Sequence, residues 1–324
     1  MSSRGGRADP AASMHARFPF TPYPRGWFQV AYSADLAPGA VQPLSCFGTE
    51  LVLFRAESGE AHVLDAHCPH LGAHLGHGGR VVGGTLQCPF HGWRFDGSGA
   101  CVDIPHARKI PDGAAVGCWQ VHEVNGLVLV RFGRDDASVD WRVPALPEYG
   151  NDDWLPYQRR YWRIRTHAQE IAENIADPAH FQYVHSMAGM PSASVSAEGH
   201  VFRSASRVLQ PTPRGPVQGR IDAEAHGLGF WVVRFTGIAD VTFITAATPS
   251  GPEHLDLRLS FLMRRPPPGG SPNVGQALMA EISRQVEEDI PIWENKIYRA
   301  RPLYSEGDGP ISALRKWSRQ FLED

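Results

Sequence analysis

Cys68-Pro69-His70 and Cys88-Pro89-Phe90-His91 each offer one thiolate and one imidazole, and seventeen residues separate His70 from Cys88. Two cysteines and two histidines in so short a stretch point to a metal. Zinc also accepts such a set, but zinc sites tend to group like with like, a Cys pair with a His pair. A [2Fe–2S] cluster with one iron on two thiolates and the other on two imidazoles wants one of each from each of two loops. That is the arrangement here, and exchanging two anionic thiolates for neutral imidazoles makes such a cluster easier to reduce. Gly72, Gly76, Gly78, Gly79, Gly83, Gly84 and Gly92 allow tight turns that aim backbone N–H groups at sulfur. His67, His74 and His77 fall outside the pattern and are expected to be solvated loop residues. Cys46, Cys101 and Cys118 are expected to be small core residues.

A second stretch, Glu173-Asn174-Ile175-Ala176-Asp177-Pro178-Ala179-His180, runs on to His185. Iron(II) that activates O2 needs two imidazoles and one carboxylate on a single face, with positions left open. His180 and His185 can supply the imidazoles, but on an ideal helix they stand about 140° apart. Both reach one metal only if the helix ends or bends, and Pro178 is a suitable disrupting residue. Asp177 lies three residues before His180, on nearly the same face, as a ligand or more economically as a residue behind the ligands. A third ligand must come from further along, where Glu287-Glu288-Asp289 offer three acids in a row. Such a run is also an ordinary solvated helix face.

These residues need elements to hold them. Residues 26–145 read as a small all-β domain, with short strands at Trp27–Tyr32, Leu51–Arg55, His62–Leu64, Thr85–Cys88 and Leu127–Phe132 bounded by Gly, Pro or Asp. Val143-Pro144-Ala145-Leu146-Pro147 reads as a stiff connector. Residues 146–324 change character. A helix is predicted over 166–177, strands near His200–Leu209, Phe230–Thr236, Val241–Ala247 and Leu255–Met263, and a proline-rich loop over Arg264–Pro272. A long helix over 275–298, kinked or divided at Pro291, and a last helix, Ile311–Leu322, follow. The fold class is α+β, an all-β domain followed by a sheet with helices packed on it. Residues 1–25 are expected to be a flexible lead-in; the first twelve, rich in Ser, Gly, Arg and Ala, do not read as a secretory signal.

The 324 residues carry a net charge of −3 without a dense basic face, which argues against a nucleic-acid partner. No apolar run approaches the ~20 residues of a membrane span. With no secretory signal either, a cytoplasmic protein is expected if the host is bacterial. Five scattered cysteines argue against a disulfide framework. No glycine-rich dinucleotide motif follows a strand, so NAD(P)H and flavin are expected to bind elsewhere.

Cys68-Pro69-His70-Leu71-Gly72-Ala73-His74-Leu75-Gly76, with Cys88-Pro89-Phe90-His91-Gly92-Trp93-Arg94-Phe95 and the tail from Asp96-Gly97 through Cys101 to Ile104-Pro105, resembles the Rieske domain of the Rieske non-haem iron oxygenases. The stretch from Glu173 to His185 is similar to their iron-binding signature, Glu/Asp-Asn-x-x-Asp-x-x-His-x-x-x-x-His. The resemblance implies a Rieske domain followed by a helix-grip (START-like) catalytic domain holding mononuclear Fe(II). In it His180 and His185 bind iron, and Asp289, in register with the family's late ligand aspartate, completes the set ahead of Glu288 or Glu287. Asp177 bridges to a cluster histidine, His70 or His91, of the neighbouring subunit, and Asn174 sits near the iron. The same resemblance implies O2 as co-substrate, a separate NAD(P)H-dependent ferredoxin reductase as electron donor, and a homotrimer.

The C-terminal string from Asp289-Ile290-Pro291-Ile292-Trp293-Glu294-Asn295-Lys296 through Asp308-Gly309-Pro310-Ile311 to Arg315-Lys316-Trp317 and Gln320-Phe321 is similar to cholesterol 7-desaturases and 3-ketosteroid 9α-hydroxylase oxygenase components. It implies hydroxylation or desaturation of a sterol or steroid. Phe230, Trp231, Phe235, Phe243 and Phe261 would suit a large apolar substrate, and each is equally at home in a core. Two other readings stand beside this one: an oxygenase of another branch acting on an aromatic acid or an O- or N-methyl group, and an electron carrier with no second metal.

Overall fold

A computed structural model describes residues 17–133, 141–186, 193–210, 215–266, 273–306 and 308–322. The chain forms two compact units, residues 26–149 and a second made of residues 150–324 with the stretch that precedes Gly26.

The described residues of 26–149 build three antiparallel sheets. Gly26–Tyr32, Leu127–Phe132 and Val121–Val124 form one; Val41–Cys46, Thr49–Arg55, Ala61–Asp65 and Cys118–Trp119 form the next. The short strands Arg80–Val82, Thr85–Gln87, Arg94–Phe95 and Cys101–Asp103 make the third. Val52, Phe54, Leu64, Leu75, Leu86 and Phe95 pack into one core that also takes in Cys68 and Cys88. Cys46 and Cys101 are buried as expected, but Cys118 is exposed. It sits in a two-residue edge strand, paired only through Leu64 and Val63, and one face of such a strand meets solvent. The 143–147 segment is fastened: the Asn125 amide donates to the Pro144 carbonyl at 2.9 Å and accepts from the Leu146 N–H at 2.7 Å.

The other unit is a seven-stranded antiparallel sheet. Its strands run, in spatial order, Gln158–Ile164, His254–Met263, Val241–Gly251, Phe230–Thr236, Val217–His226, Val201–Gln210 and Ala193–Glu198. Three of these, Gln158–Ile164, Val217–His226 and Ala193–Glu198, were not expected, because large aliphatic residues are few in them. Gln158–Ile164 carries three arginines, and in Val217–His226 the polar Arg220, Asp222 and Glu224 alternate with Ile221, Ala223 and Ala225. Helices α1 (Ala168–Glu173), α2 (Pro178–Tyr183), α3 (Asn273–Asn295) and α4 (Ile311–Ser318) accompany the sheet. Pro291 lies within α3, which continues past it to Asn295. The proline-rich loop expected over 264–272 falls largely outside the described residues.

Part of the expected flexible lead-in is ordered. Arg17 donates to the carbonyls of Trp293 at 2.9 Å and Lys296 at 3.2 Å, at the end of α3, where unpaired carbonyls need donors. The Phe20 ring packs on His167 and Tyr298, at centroid distances of 4.6 and 4.9 Å.

Candidate metal centres

The two loops of the all-β unit are built alike. The N–H of Cys68 donates to the Ala73 carbonyl at 2.9 Å, and that of Cys88 to the Trp93 carbonyl at 2.8 Å. In each loop the glycine four residues on, Gly72 or Gly92, returns its N–H to the cysteine carbonyl with φ of +74°, a conformation that suits glycine. Two equivalent turns thus present Cys68 with His70 and Cys88 with His91. The His70 and His91 rings stand 4.7 Å apart, and Trp93 stacks on His70 at 4.8 Å and 7°.

The donor set fits the cluster. Both thiols are buried, and burial pushes the Cys68 thiol up to about 11, against the pull of the His70 backbone N–H, with Cys88 beside it adding to the rise. Adjacent buried thiolates need compensating positive charge, which bound iron supplies. Among the described residues, buried His70 Nδ1 has no hydrogen-bond partner, as a nitrogen reserved for a metal would have none. Around the loops, His67 and His77 are exposed as expected. His74 is half-buried, its Nδ1 accepting the Gly76 N–H at 3.0 Å, so it shapes the first loop.

In the unit with the seven-stranded sheet the helix expected over 166–177 is interrupted. All six residues of α1 are buried, the chain tightens to a 3-10 turn over Asn174–Ala176, and α2 then starts afresh. Pro178 occupies the first turn of α2, where its missing N–H costs nothing. Asp177 caps the helix, its Oδ1 accepting from the N–H groups of Ala179 at 3.1 Å and His180 at 3.4 Å. The break is packed from outside: a Cβ on Gly309 would lie 2.3 Å from the Ala176 carbonyl oxygen and from Pro178 Cδ, so only glycine passes there. Helix α2 ends at Tyr183, before His185. The two histidines converge because the second has left the helix, not because proline bends it.

The result is a cluster. One ligand-capable atom from each of His180, His185 and Asp289 lies within 4.8 Å of the others. His180 Nδ1 is engaged by the Asp177 carbonyl, which leaves Nε2 available. His185 Nε2 stands 3.5 Å from Asp289 Oδ1. The Asn174 amide donates to Asp289 Oδ2 at 2.9 Å, and its own oxygen accepts from the Trp293 indole at 3.4 Å. Burial lowers the pKa of His180 and raises that of Asp289 to about 6, the latter rise being opposed by His185. A neutral imidazole is the metal-binding form, and a desolvated carboxylate gains from a cation beside it, so this set fits iron(II). Of the three acids in the run, Glu287 is exposed, Glu288 half-buried and Asp289 buried.

A cavity of about 170 Å³ opens on this cluster, an order of magnitude more than one water requires. The sheet supplies its floor through residues alternating along each strand: Trp231, Val233 and Phe235 from one strand, Phe243 from the next, Ala223 from the other side. Phe230 and Phe261 are wholly buried and do not line it. The polar Ser204, Ser206 and Thr245 on the wall, and the role of Trp293 on Asn174, were not foreseen. Strand alternation with Trp231 and Phe235 could have revealed the former once the registers were known.

The Rieske [2Fe-2S] domain family matches residues 26–120, and the 3-Ketosteroid 9alpha-hydroxylase C-terminal domain family matches residues 133–322. The chain is 33% identical to a probable 3-ketosteroid-9-alpha-monooxygenase oxygenase component of Rhodococcus rhodochrous, over 93% of this chain and 80% of that protein. It is 30% identical to a cholesterol 7-desaturase of Ciona intestinalis, over 93% of this chain and 69% of the relative. Solved structures of Pseudomonas putida CBB5 NdmB and of dicamba monooxygenase share the fold, with TM-scores of 0.75 and 0.74 at 20% identity, covering 91% of this chain and 90% and 96% of theirs. No described helix is long and apolar enough to cross a membrane. With its paired Cys-His loops, its cluster of two histidines and an aspartate, and both family matches, the chain belongs to the Rieske non-haem iron oxygenases, in the branch defined by the 3-ketosteroid 9alpha-hydroxylase C-terminal domain.

Proposed function

We propose that this oxygenase component hydroxylates or desaturates a sterol- or steroid-like substrate, with the cluster on Cys68, His70, Cys88 and His91 and the catalytic iron on His180, His185 and Asp289. The observation that carries it is the convergence of those last three side chains at one end of an apolar cavity. When bound, the two centres supply electron storage and O2 activation. The protein's own residues do the rest. Trp231, Val233, Phe235 and Phe243 offer a dry apolar surface on which a fused-ring skeleton can lie, keeping water from the reacting carbon. Asn174 holds Asp289, α2 carries His180, and the chain just beyond the end of α2 carries His185. The similarity to steroid and sterol oxygenases supports this substrate class. So does the lining: among the described residues it carries no Arg or Lys, and an aromatic acid would want a cation for its carboxylate.

Within this reading a separate NAD(P)H-dependent reductase feeds the cluster. Asp177, already against His180, carries the electron from His70 or His91 of a neighbouring subunit in a homotrimer, whose head-to-tail contacts close by rotation. The protein works in the cytoplasm, where its cysteines, none disulfide-bonded, stay reduced. The test is oxygen consumption by the holoenzyme with a compatible reductase. 3-Ketosteroids or sterols are expected to stimulate it with formation of oxidised product; stimulation by aromatic acids alone would overturn the substrate class.

A further inference from the structure

Glu288 and Asp289 are consecutive on α3, yet both reach the same imidazole, one at each nitrogen. Glu288 Oε2 accepts from His185 Nδ1 at 3.0 Å, while Asp289 Oδ1 stands 3.5 Å from Nε2 on the other side. The two carboxylates differ in what else holds them. Glu288 Oε1 is taken by the Arg284 guanidinium, one helical turn earlier. Arg284 is itself clamped by Glu281, through Nε at 3.0 Å and Nη2 at 2.6 Å. Both oxygens of Glu288 are therefore committed, and its side chain is 33% exposed, whereas those of Asp289 and His185 are 9% and 1% exposed.

We propose that Glu288 is a positioning residue for the iron site: it holds the proton of His185 on Nδ1, so that the Nε2 lone pair faces the metal. This rests on the reading of His180, His185 and Asp289 as the iron ligands. An imidazole on a metal is oriented by whatever accepts from its other nitrogen, and loss of that acceptor typically costs about 10- to 100-fold in metal affinity. His180 receives the same service from the backbone carbonyl of Asp177, which no substitution can remove. His185 depends on a side chain, and the Glu281–Arg284–Glu288 ladder fixes that side chain along one face of α3. The three successive acids thus divide into an exposed Glu287, a positioning Glu288 and a buried Asp289 beside the imidazole's metal-facing nitrogen.

The experiment measures iron(II) affinity of the mononuclear site by chelator competition on the full protein, with the visible absorption of the cluster as internal control. Glu288→Ala is expected to weaken binding about 10- to 100-fold while leaving cluster content and thermal midpoint unchanged. Glu288→Gln, whose amide oxygen can still accept from Nδ1, should recover part of that loss, which a merely structural role would not produce. Glu288→Ala binding iron within about threefold of the parent, while Asp289→Ala binds none, would overturn the positioning role and leave the site reading intact. Complete loss in Glu288→Ala, indistinguishable from Asp289→Ala, would make Glu288 a ligand and overturn it too. Full retention in Asp289→Ala would refute the site reading, and this inference with it.

Discussion

The Asn174 amide donates to Asp289 Oδ2 at 2.9 Å, joining the turn between α1 and α2 to the middle of α3 across 115 positions of sequence. The Trp293 indole, by donating to Asn174 Oδ1, fixes which way that amide faces. Asn174→Ala should therefore leave the Asp289 carboxylate unrestrained and weaken iron(II) binding roughly tenfold, with the cluster untouched. Trp293→Phe should give a smaller loss in the same direction. Chelator competition on each variant checks both, and unchanged affinity in Asn174→Ala would remove the amide from the site.

Asp177 caps α2, and one substitution separates that role from the proposed bridge to a neighbouring subunit's cluster. Its Oδ1 caps α2, so Asp177→Ala should cost about 1 kcal/mol of stability whatever else happens. Asp177→Asn keeps the capping oxygen and removes the charge. The bridging role predicts that Asp177→Asn melts like the parent, holds both metals and yet fails to turn over. Stopped-flow transfer from the reduced cluster is the measurement, and parental rates in Asp177→Asn would refute the bridge.

The cavity floor can be raised without touching a ligand. Ala223 lies between Ser204 and Val233 on neighbouring strands, with its side chain on the lining. Ala223→Phe should fill space a fused-ring substrate needs and lower kcat/KM for steroids by about tenfold or more, with iron content unchanged. Steady-state oxygen uptake on iron-replete enzyme checks this.

His167 gives the fold a pH dependence of known sign. Its Nδ1 accepts the Gln169 N–H at 3.0 Å, so Nε2 donates to the Thr21 carbonyl at 3.0 Å, and burial lowers its pKa from 6.5 to about 4. A histidine depressed in the folded state is neutral there while the unfolded chain takes a proton. Its contribution is whole above pH 6.5 and is lost as pH falls from 6.5 toward 4, by at most about 3 kcal/mol. Chemical denaturation between pH 7.5 and 4.5 should show this slope in the parent and a flatter one in His167→Gln.

How much of this could be read in the sequence depended on how local each feature is. The two Cys-Pro-His and Cys-Pro-Phe-His loops are complete in a few residues each, and the pairing of each Cys with a His favours the cluster over the usual like-with-like zinc arrangement. The iron set is only partly local. His180 and His185 are near neighbours, and the Asp177 cap with Pro178 restarts the helix locally, but the packing of Gly309 against Ala176 and Pro178 comes from over a hundred residues away. Asp289 could be singled out from Glu287 and Glu288 only by resemblance, since a run of three acids does not say which one a helix turns inward. Gln158–Ile164 escaped because its three arginines leave little apolar signal, and Val217–His226 because the apolar side of its alternation is mostly alanine, Ala223 and Ala225 beside Ile221.

Iron and acid-labile sulfide counts on the same purified samples test the central claim most directly. Two centres on one chain predict about three irons and two sulfides in the parent, and about two irons with sulfide unchanged in His180→Ala, His185→Ala and Asp289→Ala. A parent that holds only about two irons, even after anaerobic reconstitution with iron(II), would contradict the account and leave an electron carrier in its place.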